Sequence, residues 1–326
     1  MKRRVLLTSM AGTAFLPASA DAQQKRTLVI GSLNSGSAGP AAPYVAAFHQ
    51  GLREAGYVEG QNLKVEYRWA EGRYDRLPAL AAELVGLQVD LIQTSGVTAA
   101  VRAAKGATTV LPIVFGSGDD PVAAGLVASL ARPGSNVTGV SFLAVALNPK
   151  RLELLRELVP QAGALAMLVN PENPATERVI PEIQEAARLN NVRLIVVKAS
   201  SESEIDAAFA TVVQQHVGGL LVSADSFLNS RRDRIMSLAE RYSVPAIYEF
   251  REFATAGGLI SYGPSVTAAY VQVGIHVGKI LRGAKVADLP VMQPAAFELV
   301  VNLKTAKALG LTIPPSIRAR ADEAIE

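Results

Sequence analysis

The sequence predicts an α/β protein made of two doubly wound parallel-sheet lobes that are joined by crossing hinge strands. Short apolar stretches alternate with longer amphipathic stretches along most of the chain, which is typical of repeated βαβ units. At 326 residues the chain is long for one ordinary domain, and its hydrophobic content of 49% is sufficient for two cores. The alternation restarts near the middle of the chain, which indicates two halves of similar architecture.

Residues 1–22 have the organisation of a secretory signal peptide and are excluded from the predicted fold. Basic residues at Lys2 to Arg4 precede an apolar run from Val5 to Leu16, and small residues up to Ala22 provide a cleavage site. The alternative, a membrane anchor, is disfavoured because the run is shorter than the about 20 residues that a spanning helix needs. We therefore expect a protein that is released into an oxidising compartment.

The charge and the cysteine content exclude several classes of partner and site. Removal of residues 1–22 removes three basic residues and one acidic residue, which leaves a net charge of +1. A nearly neutral protein is a poor candidate for binding nucleic acid or an acidic membrane surface. The sequence has no cysteine, so disulfides, thiol nucleophiles, cysteine metal sites and a cysteine-linked lipid anchor are excluded. We expect no metal and no cofactor.

The first half of the mature chain is predicted to contain five strands separated by helices. The first strand starts at Thr27 and runs into a loop of small residues from Asn34 to Pro40. The next predicted elements are a helix (42–55), a strand (63–69), a helix (77–87), a strand (89–93) and a helix that opens after Gly96. Residues 112–142 then predict a strand, a glycine-rich turn, a helix, a Pro-Gly break and a second strand.

The second half repeats this alternation and ends in a tail that departs from it. Its five predicted strands are ALAMLVN ending at Asn170, RLIVVK, GLLVSA ending at Ala224, VPAIYE and GLISYG. Pro181 predicts a kink or a split in the helix after the first of them. The tail consists of a helix (266–281), an extended segment (289–301) and a short helix. We expect this tail to return across both lobes, so that the N-lobe comprises residues 23–142 plus 259–283 and the C-lobe residues 143–258 plus 284–326.

Sequence motifs for catalysis are missing. No G-x-S-x-G elbow, Walker loop or complete G-x-G-x-x-G follows a predicted strand, and the three histidines fall on predicted helices. Asp119, Asp120 and Asp225 are the carboxylates that could serve in acid–base chemistry, but capping of a following helix is the more typical role for Asp120. A binding protein is therefore favoured, and a hydrolase or isomerase that uses Asp120 or Asp225 is the alternative.

Short polar side chains and aromatic rings stand at the carboxyl ends of the predicted strands, where open α/β sheets bind ligands. Each hydroxyl alone is typical of a turn or a helix cap, but their shared position indicates a site. Ser95 opens a helix, whose free amides favour a carboxylate, and Asp225 would complement an ammonium. The candidate ligand-binding residues are Ser35, Ser37, Thr94, Ser95, Ser117, Asp120, Asn170, Asn173, Asp225, Tyr248 and Tyr262.

Four stretches of the sequence resemble a known family. They are FHQGLREAGYVEGQNLKVEYRWAEG (48–72), DPVAAGLVASLARPGSNVTGVS (120–141), GGLISYGPS (257–265) and DLPVMQPAAFELVVNLKTAKALGLTIPPS (288–316). They are similar to the ABC-transporter substrate-binding proteins of the type I periplasmic-binding fold, in the branch that includes the tryptophan-binding TrpX-like proteins. The late helix departs from the family pattern, because Val271 and Gln272 follow Tyr270 where the family usually carries arginines.

The resemblance implies a periplasmic receptor that closes its two lobes on a small polar or zwitterionic solute, amino acid-like or aromatic. Such a receptor delivers the solute to an ABC permease in the inner membrane. We expect a monomer without enzymatic activity. A periplasmic sensory protein with the same fold is the alternative that the sequence leaves open.

Overall fold

A computed structural model describes residues 26–294 and 296–326 of the chain, and the predicted signal peptide (1–22) lies outside these residues. The strands are β1 (Leu28–Asn34), β2 (Leu63–Trp69), β3 (Leu91–Gly96), β4 (Ile113–Ser117), β5 (Val137–Ser141), β6 (Leu165–Val169), β7 (Leu194–Lys198), β8 (Leu220–Val222), β9 (Ala246–Tyr248), β10 (Ile260–Pro264), β11 (Phe297–Asn302) and β12 (Glu323–Ile325). The α-helices are α1 (Ala38–Glu54), α2 (Leu77–Gly86), α3 (Thr98–Ala107), α4 (Asn148–Leu158), α5 (Thr176–Leu189), α6 (Glu202–Gln214), α7 (Ser226–Ser230), α8 (Arg232–Arg241), α9 (Arg251–Thr255), α10 (Val266–Leu281), α11 (Leu303–Ala308) and α12 (Pro315–Arg320).

The strands form two sheets, and each sheet is the centre of one lobe. The N-lobe sheet is parallel and has the order β2-β1-β3-β4-β5. The C-lobe sheet has the order β7-β6-β8-β9-β10-β11-β12, in which β10 and β11 are antiparallel. The first five strands of both sheets follow the same doubly wound order, so the predicted fold class is confirmed. In both sheets the carboxyl ends of the parallel strands form one edge, where this architecture binds ligands.

The two sheets are buried because their central strands are apolar on both faces. All residues of β4 and β6 are buried, as expected for parallel strands that are covered by helices on both sides. Helices α1 and α10 pack closely on the N-lobe. A Cβ atom added at Gly51 of α1 would lie 2.0 Å from the carbonyl oxygen of Val271, and one at Gly274 of α10 would lie 2.3 Å from that of Phe48. The backbones of α1 and α10 can therefore lie this close to each other only because both positions are glycine.

The expected lobe boundaries differ from the sheet membership of the last third of the chain. Strand β10 pairs with β9 and β11 in the C-lobe sheet, although we expected residues 259–283 in the N-lobe. Helix α10 does pack on the N-lobe, and Met292 runs along β5, where its amide donates to the carbonyl of Gly139 at 2.9 Å. The chain thus crosses between lobes after β5, after β10 and before β11. The residue pattern of a strand does not reveal which sheet the strand joins, because sheet membership depends on the strand with which it forms hydrogen bonds.

Two local predictions differ from the structure. Residues 121–131 form turns and bends and not the predicted helix. Gly125 adopts a φ of 68°, which is incompatible with a right-handed α-helix, and the buried Leu126 instead packs into the N-lobe core. Pro181 was predicted to kink or split its helix, and the split does not occur, because α5 is one helix from residue 176 to 189 with Pro181 inside it.

Candidate functional site

A cleft lies between the carboxyl ends of the strands of the two sheets, with an empty volume of about 750 Å³ that includes solvent at its mouth. The N-lobe contributes Asn34, Gly36, Ser37, Pro40, Ala41, Tyr44, Trp69, Ser95, Gly96, Val97, Thr98, Ser117, Gly118, Asp119 and Tyr270. The hinge and the C-lobe contribute Phe142, Val145, Asn173, Ala175, Ala224, Asp225, Ser226, Asn229, Ser230, Phe250 and Val266. The position agrees with that expected for a doubly wound sheet.

Aromatic rings form much of the N-lobe wall. The rings of Tyr44 and Tyr270 stack with their centroids 5.6 Å apart and their planes at 16°. The ring of Phe142 is tilted by 57° against that of Tyr270, with 5.4 Å between their centroids. Trp69 forms a separate part of the wall and stacks on Tyr67. The cleft therefore offers apolar, planar surfaces, which suit a ligand that has an apolar body.

Hydroxyl groups connect the ends of β1 and β3 at the base of the cleft. The Ser35 hydroxyl donates to the carbonyl of Ser95 at 2.7 Å and accepts from the amide of Val97 at 3.0 Å. The hydroxyls of Ser95 and Tyr270 share a hydrogen bond, and burial raises the pKa of Tyr270 to about 12. Ser35 thus positions the start of α3, and the Ser95 hydroxyl is held at the cleft surface by a neutral phenol.

Asp225 is buried between β8 and α7, and its carboxylate accepts hydrogen bonds from groups of the protein. Its Oδ2 accepts from the hydroxyl of Tyr74 at 2.7 Å and from the side-chain amide of Asn173 at 2.9 Å. Its Oδ1 accepts from the side chain of Asn170 at 3.2 Å and from the amide of Leu228 at 3.0 Å, which caps α7. Burial raises the pKa of Asp225. The carboxylate lines the cleft as predicted, but four donors of the protein already satisfy it.

Asp119 is the other carboxylate that lines the cleft, and it contacts both lobes. Its Oδ2 accepts from the hydroxyl of Thr98 at 2.9 Å, and its Oδ1 accepts from the Asp120 amide at 2.9 Å. The guanidinium of Arg178, on α5 of the C-lobe, forms an ion pair with the same oxygen. The charge of Asp119 is therefore neutralised by a group from the opposite lobe.

The lobes approach most closely where glycines of the N-lobe meet the start of α7. Gly96 has a φ of 102°, and a Cβ atom there would lie 2.3 Å from the hydroxyl of Ser226. Gly72 has a φ of 81°, and a Cβ atom there would lie 2.9 Å from the ring of Phe227. Side chains at these two positions would both strain the backbone and hold the lobes apart.

The structure brings together five of the predicted site residues at the cleft surface and places the others elsewhere. Ser37, Ser95, Ser117, Asn173 and Asp225 line the cleft. Ser35, Thr94 and Asn170 are buried beneath it. Asp120, Tyr248 and Tyr262 do not line it.

Each of these three outliers has a physical reason. Asp120 is exposed and accepts the amide of Val122 at 2.8 Å, so it caps a turn. Tyr248 is buried in the C-lobe, where its ring stacks 4.5 Å from that of Phe253. Tyr262 is oriented toward Phe297 of the neighbouring strand β11. The sequence position of these residues correctly indicated that they lie near the carboxyl ends of the strands. It did not indicate whether their side chains are oriented toward the cleft.

Several cleft residues were not among the predicted ligand-binding residues. Trp69 is the last residue of β2, so the same strand-end rule could have identified it. Asp119 precedes the predicted Asp120 by one residue. The conformation of the turn places the side chain of Asp119 in the cleft and leaves that of Asp120 exposed. Tyr44 and Tyr270 are on helices, and only the packing of α1 against α10 brings them to the cleft.

Within 26–294 and 296–326, no group of three or more His, Asp or Glu side chains is arranged to hold a metal ion. Within the same two ranges, no helix has both the length and the apolar character needed to cross a membrane.

Comparisons with known proteins agree on one family. The profile of the family described as "ABC transporter substrate binding protein" matches residues 40–325. A tyrosine-binding protein of Clostridioides difficile (strain R20291) is 28% identical over 265 residues, which cover 81% of this chain and 75% of that protein.

Two solved structures are similar in fold and in sequence. An ABC domain from Streptococcus pneumonia in complex with L-Trp has a TM-score of 0.82 and 26% identity and covers 92% of this chain and 100% of its own. The ligand-free, open structure of a substrate binding protein with adhesive properties from Clostridium difficile has a TM-score of 0.63 and 25% identity. The match covers 91% of this chain and 99% of that protein. The chain belongs to the ABC transporter substrate binding protein family.

Proposed function

We propose that this chain is the periplasmic receptor of an ABC importer and that it captures an amino acid with an apolar, preferably aromatic, side chain between its lobes. The observation that carries this proposal is the chemistry of the cleft. Its walls are aromatic and its exposed polar groups are mostly neutral, while its two carboxylates, Asp119 and Asp225, are already satisfied by the protein. Such a cleft suits a ligand of zero net charge with an apolar body.

Neutral donors are available for the ligand carboxylate. Helix α1 begins at the cleft after Ser37, whose side chain accepts no hydrogen bond from the first helical amides. Those amides and the helix dipole favour a negative group, and the Ser95 hydroxyl lies on the same lobe. The carboxylate site that we expected at the start of α3 is less suitable, because the negatively charged Asp119 already accepts a hydrogen bond from Thr98 there.

The relatives support an amino acid ligand. One homologue is a tyrosine-binding protein and one similar structure holds L-Trp. Both are less than 30% identical to this chain, so they support the class of ligand and not one particular amino acid. The aromatic wall around Tyr44, Tyr270 and Trp69 is consistent with this class.

Closure of the lobes is the mechanism that we propose for capture. Contacts across the cleft, such as Arg178 with Asp119 and Tyr74 with Asp225, form only when the lobes are together. The chain is more similar to the L-Trp complex than to the ligand-free, open structure at nearly equal identity, which supports a closed conformation here. Ligand favours this state by as much as its affinity differs between the two states.

The remaining parts of the proposal concern the cell and the partner. The signal-like segment at residues 1–22 supports export, and membership of the family supports a permease as the partner. We expect the receptor to be a monomer that releases its ligand unchanged.

Ligand screening of the mature chain (residues 23–326) tests this function. We expect aromatic amino acids to raise the melting temperature and to bind with a micromolar dissociation constant, about −8 kcal/mol, while sugars and nucleosides leave it unchanged. Deletion of the protein should abolish uptake of the labelled ligand by cells. Chemical conversion of the best ligand, or no binding of any amino acid, would contradict the proposal.

A further inference from the structure

Trp69 occupies a distinctive position in the cleft wall. It is the last residue of β2 and the single tryptophan of the sequence. It lines the cleft, and its indole stacks on the ring of Tyr67 with 5.9 Å between centroids and 9° between planes. Tyr67 precedes it by two residues, so both side chains lie on the same face of the sheet. One face of the indole is therefore covered by protein.

The ring behind Trp69 is itself held from outside the cleft. The Tyr67 hydroxyl lies 2.7 Å from Nε2 of His49 on α1, and His49 also contacts the carboxylate of Glu59 at 3.4 Å. Neither His49 nor Glu59 lines the cleft. The orientation of the indole is thus supported by a ring that is stacked against it and by a hydrogen bond that fixes that ring.

A half-buried indole with one supported face is suited to stacking on its other face. Parallel offset aromatic pairs gain free energy beyond that of area burial, whereas a branched aliphatic side chain gains only the burial. A fixed indole also loses little side-chain entropy when a ligand packs on it. The wall at Trp69 can therefore distinguish two ligands of similar apolar area by the planarity of their side chains.

We propose that the face of Trp69 opposite Tyr67 is the surface on which an aromatic ring of the ligand stacks, with Tyr67 and His49 as positioning residues. This inference rests on the proposed function and adds a basis for specificity to it. Trp69 selects aromatic amino acids over aliphatic ones, and the amino and carboxylate groups of the ligand bind elsewhere in the cleft.

The test compares L-phenylalanine with L-leucine by isothermal titration calorimetry on the mature chain. For the wild type we expect tighter binding of L-phenylalanine. In Trp69→Leu the ratio of the two dissociation constants should fall by about three- to tenfold, because stacking is lost while apolar contact remains. Trp69→Phe should keep most of the ratio, and it remains informative if Trp69→Leu folds poorly. Melting temperatures of the free variants report on folding.

Further variants test the positioning residues. Tyr67→Leu should lower the same ratio and shift the indole emission of the free protein, which arises from Trp69 alone. His49→Gln, which can still bond to the Tyr67 hydroxyl, should restore the ratio that His49→Ala lowers. Tyr242 provides the matched control, since it also stacks on a ring, that of Phe209 at 6.4 Å, but does not line the cleft. Tyr242→Leu should leave the ratio unchanged.

The outcomes separate this inference from the proposed function. The role of Trp69 would be overturned if Trp69→Leu left the ratio of the two dissociation constants unchanged, or if the wild type bound L-leucine more tightly than L-phenylalanine. Amino acid binding by the protein would stand in both cases. A wild type that binds no amino acid at all would instead overturn the proposed function, and the inference with it.

Discussion

The hydroxyl of Tyr74, in the N-lobe, donates a hydrogen bond of 2.7 Å to Oδ2 of Asp225, which caps the first helix of the C-lobe that follows β8. The same hydroxyl accepts the amide of Phe227 at 3.2 Å. Burial raises the pKa of Tyr74 well above its ordinary value, so the phenol remains neutral. One side chain thus links both lobes without contacting the ligand cleft.

Tyr74→Phe should weaken ligand binding although Tyr74 itself does not line the cleft. The variant keeps the ring but loses both interlobe hydrogen bonds, and Asp225 keeps its three other donors. The loss of about 1–1.5 kcal/mol from the closed state predicts roughly five- to twelvefold weaker binding. Calorimetry measures the affinity, and small-angle scattering measures the fraction of open molecules. Tyr242→Phe, on the exposed surface, is the control, and equal affinities in the two variants would contradict the interlobe role.

Arg178 offers a second test of closure, because it connects α5 of the C-lobe to Asp119 of the N-lobe. Arg178→Ala should reduce affinity by about threefold, or ~0.7 kcal/mol, since its side chain is partly exposed and screened by solvent. The difference in affinity between the wild type and Arg178→Ala should become smaller as the salt concentration is raised. Arg188→Ala is matched to it, being on the same helix and paired with Glu185 at the surface, and should not change affinity. If both variants behave alike, the ion pair across the cleft has no role in closure.

Glu249 makes the stability of the protein depend on pH. It is fully buried at the end of β9, and neither carboxylate oxygen has a partner among residues 26–294 and 296–326. Burial raises the pKa of Glu249 to about 8, although the nearby Arg151 opposes this. In the unfolded chain its pKa is near 4.5, so between these values the folded state binds more protons and the free energy of unfolding falls as pH rises.

The corresponding prediction is that Glu249→Gln removes this dependence. The wild type should lose stability from about pH 4.5 to 8, of the order of a few kcal/mol in total from Glu249, whereas the variant should lose much less over this range and be more stable than the wild type at pH 8. Thermal unfolding across this range measures both. Glu153→Gln, which breaks an exposed pair with Lys150, is the control. A melting temperature of Glu249→Gln that falls in parallel with the wild type would refute the assignment.

The alternation of apolar and amphipathic stretches sufficed for the fold class and for the edge at which the cleft lies. It also placed Ser95, Ser117 and Asp225 at the cleft, because the ends of parallel strands meet at one edge. It could not place Tyr44 or Tyr270, which reach the cleft from helices distant in sequence. Their positions depend on which helices pack together, and a single sequence carries little information on that.

The misassigned segments have a common cause. Strand β10 was expected in the N-lobe, yet its antiparallel pairing with β11 holds it in the C-lobe sheet. The stretch after Asp120 has a helical composition, but Gly125 and the burial of Leu126 produce turns instead. In both segments tertiary contacts overrode a local pattern that was equally compatible with another structure.

The packing of α1 on α10 connects the stability of the N-lobe to the shape of the cleft. Gly51 and Gly274 allow the two helix backbones to touch, and the same helices carry Tyr44 and Tyr270, whose rings stack. Gly274→Ala should destabilise the protein by about 1–3 kcal/mol, because the helices must separate to admit the methyl group. Separation would also displace the stacked rings, so ligand affinity should fall together with the melting temperature.

Gly106→Ala, in α3, is the matched control, since no atom lies within 4 Å of a Cβ atom there. It should leave affinity unchanged and stabilise the protein by roughly 0.5–1 kcal/mol, as expected for replacing a helical glycine by alanine. Denaturant unfolding and calorimetry on both variants measure the two effects. A Gly274→Ala protein as stable as the Gly106→Ala protein would show that α10 can shift without cost. Lost stability with unchanged affinity would show instead that the ring pair does not depend on the distance between the helices.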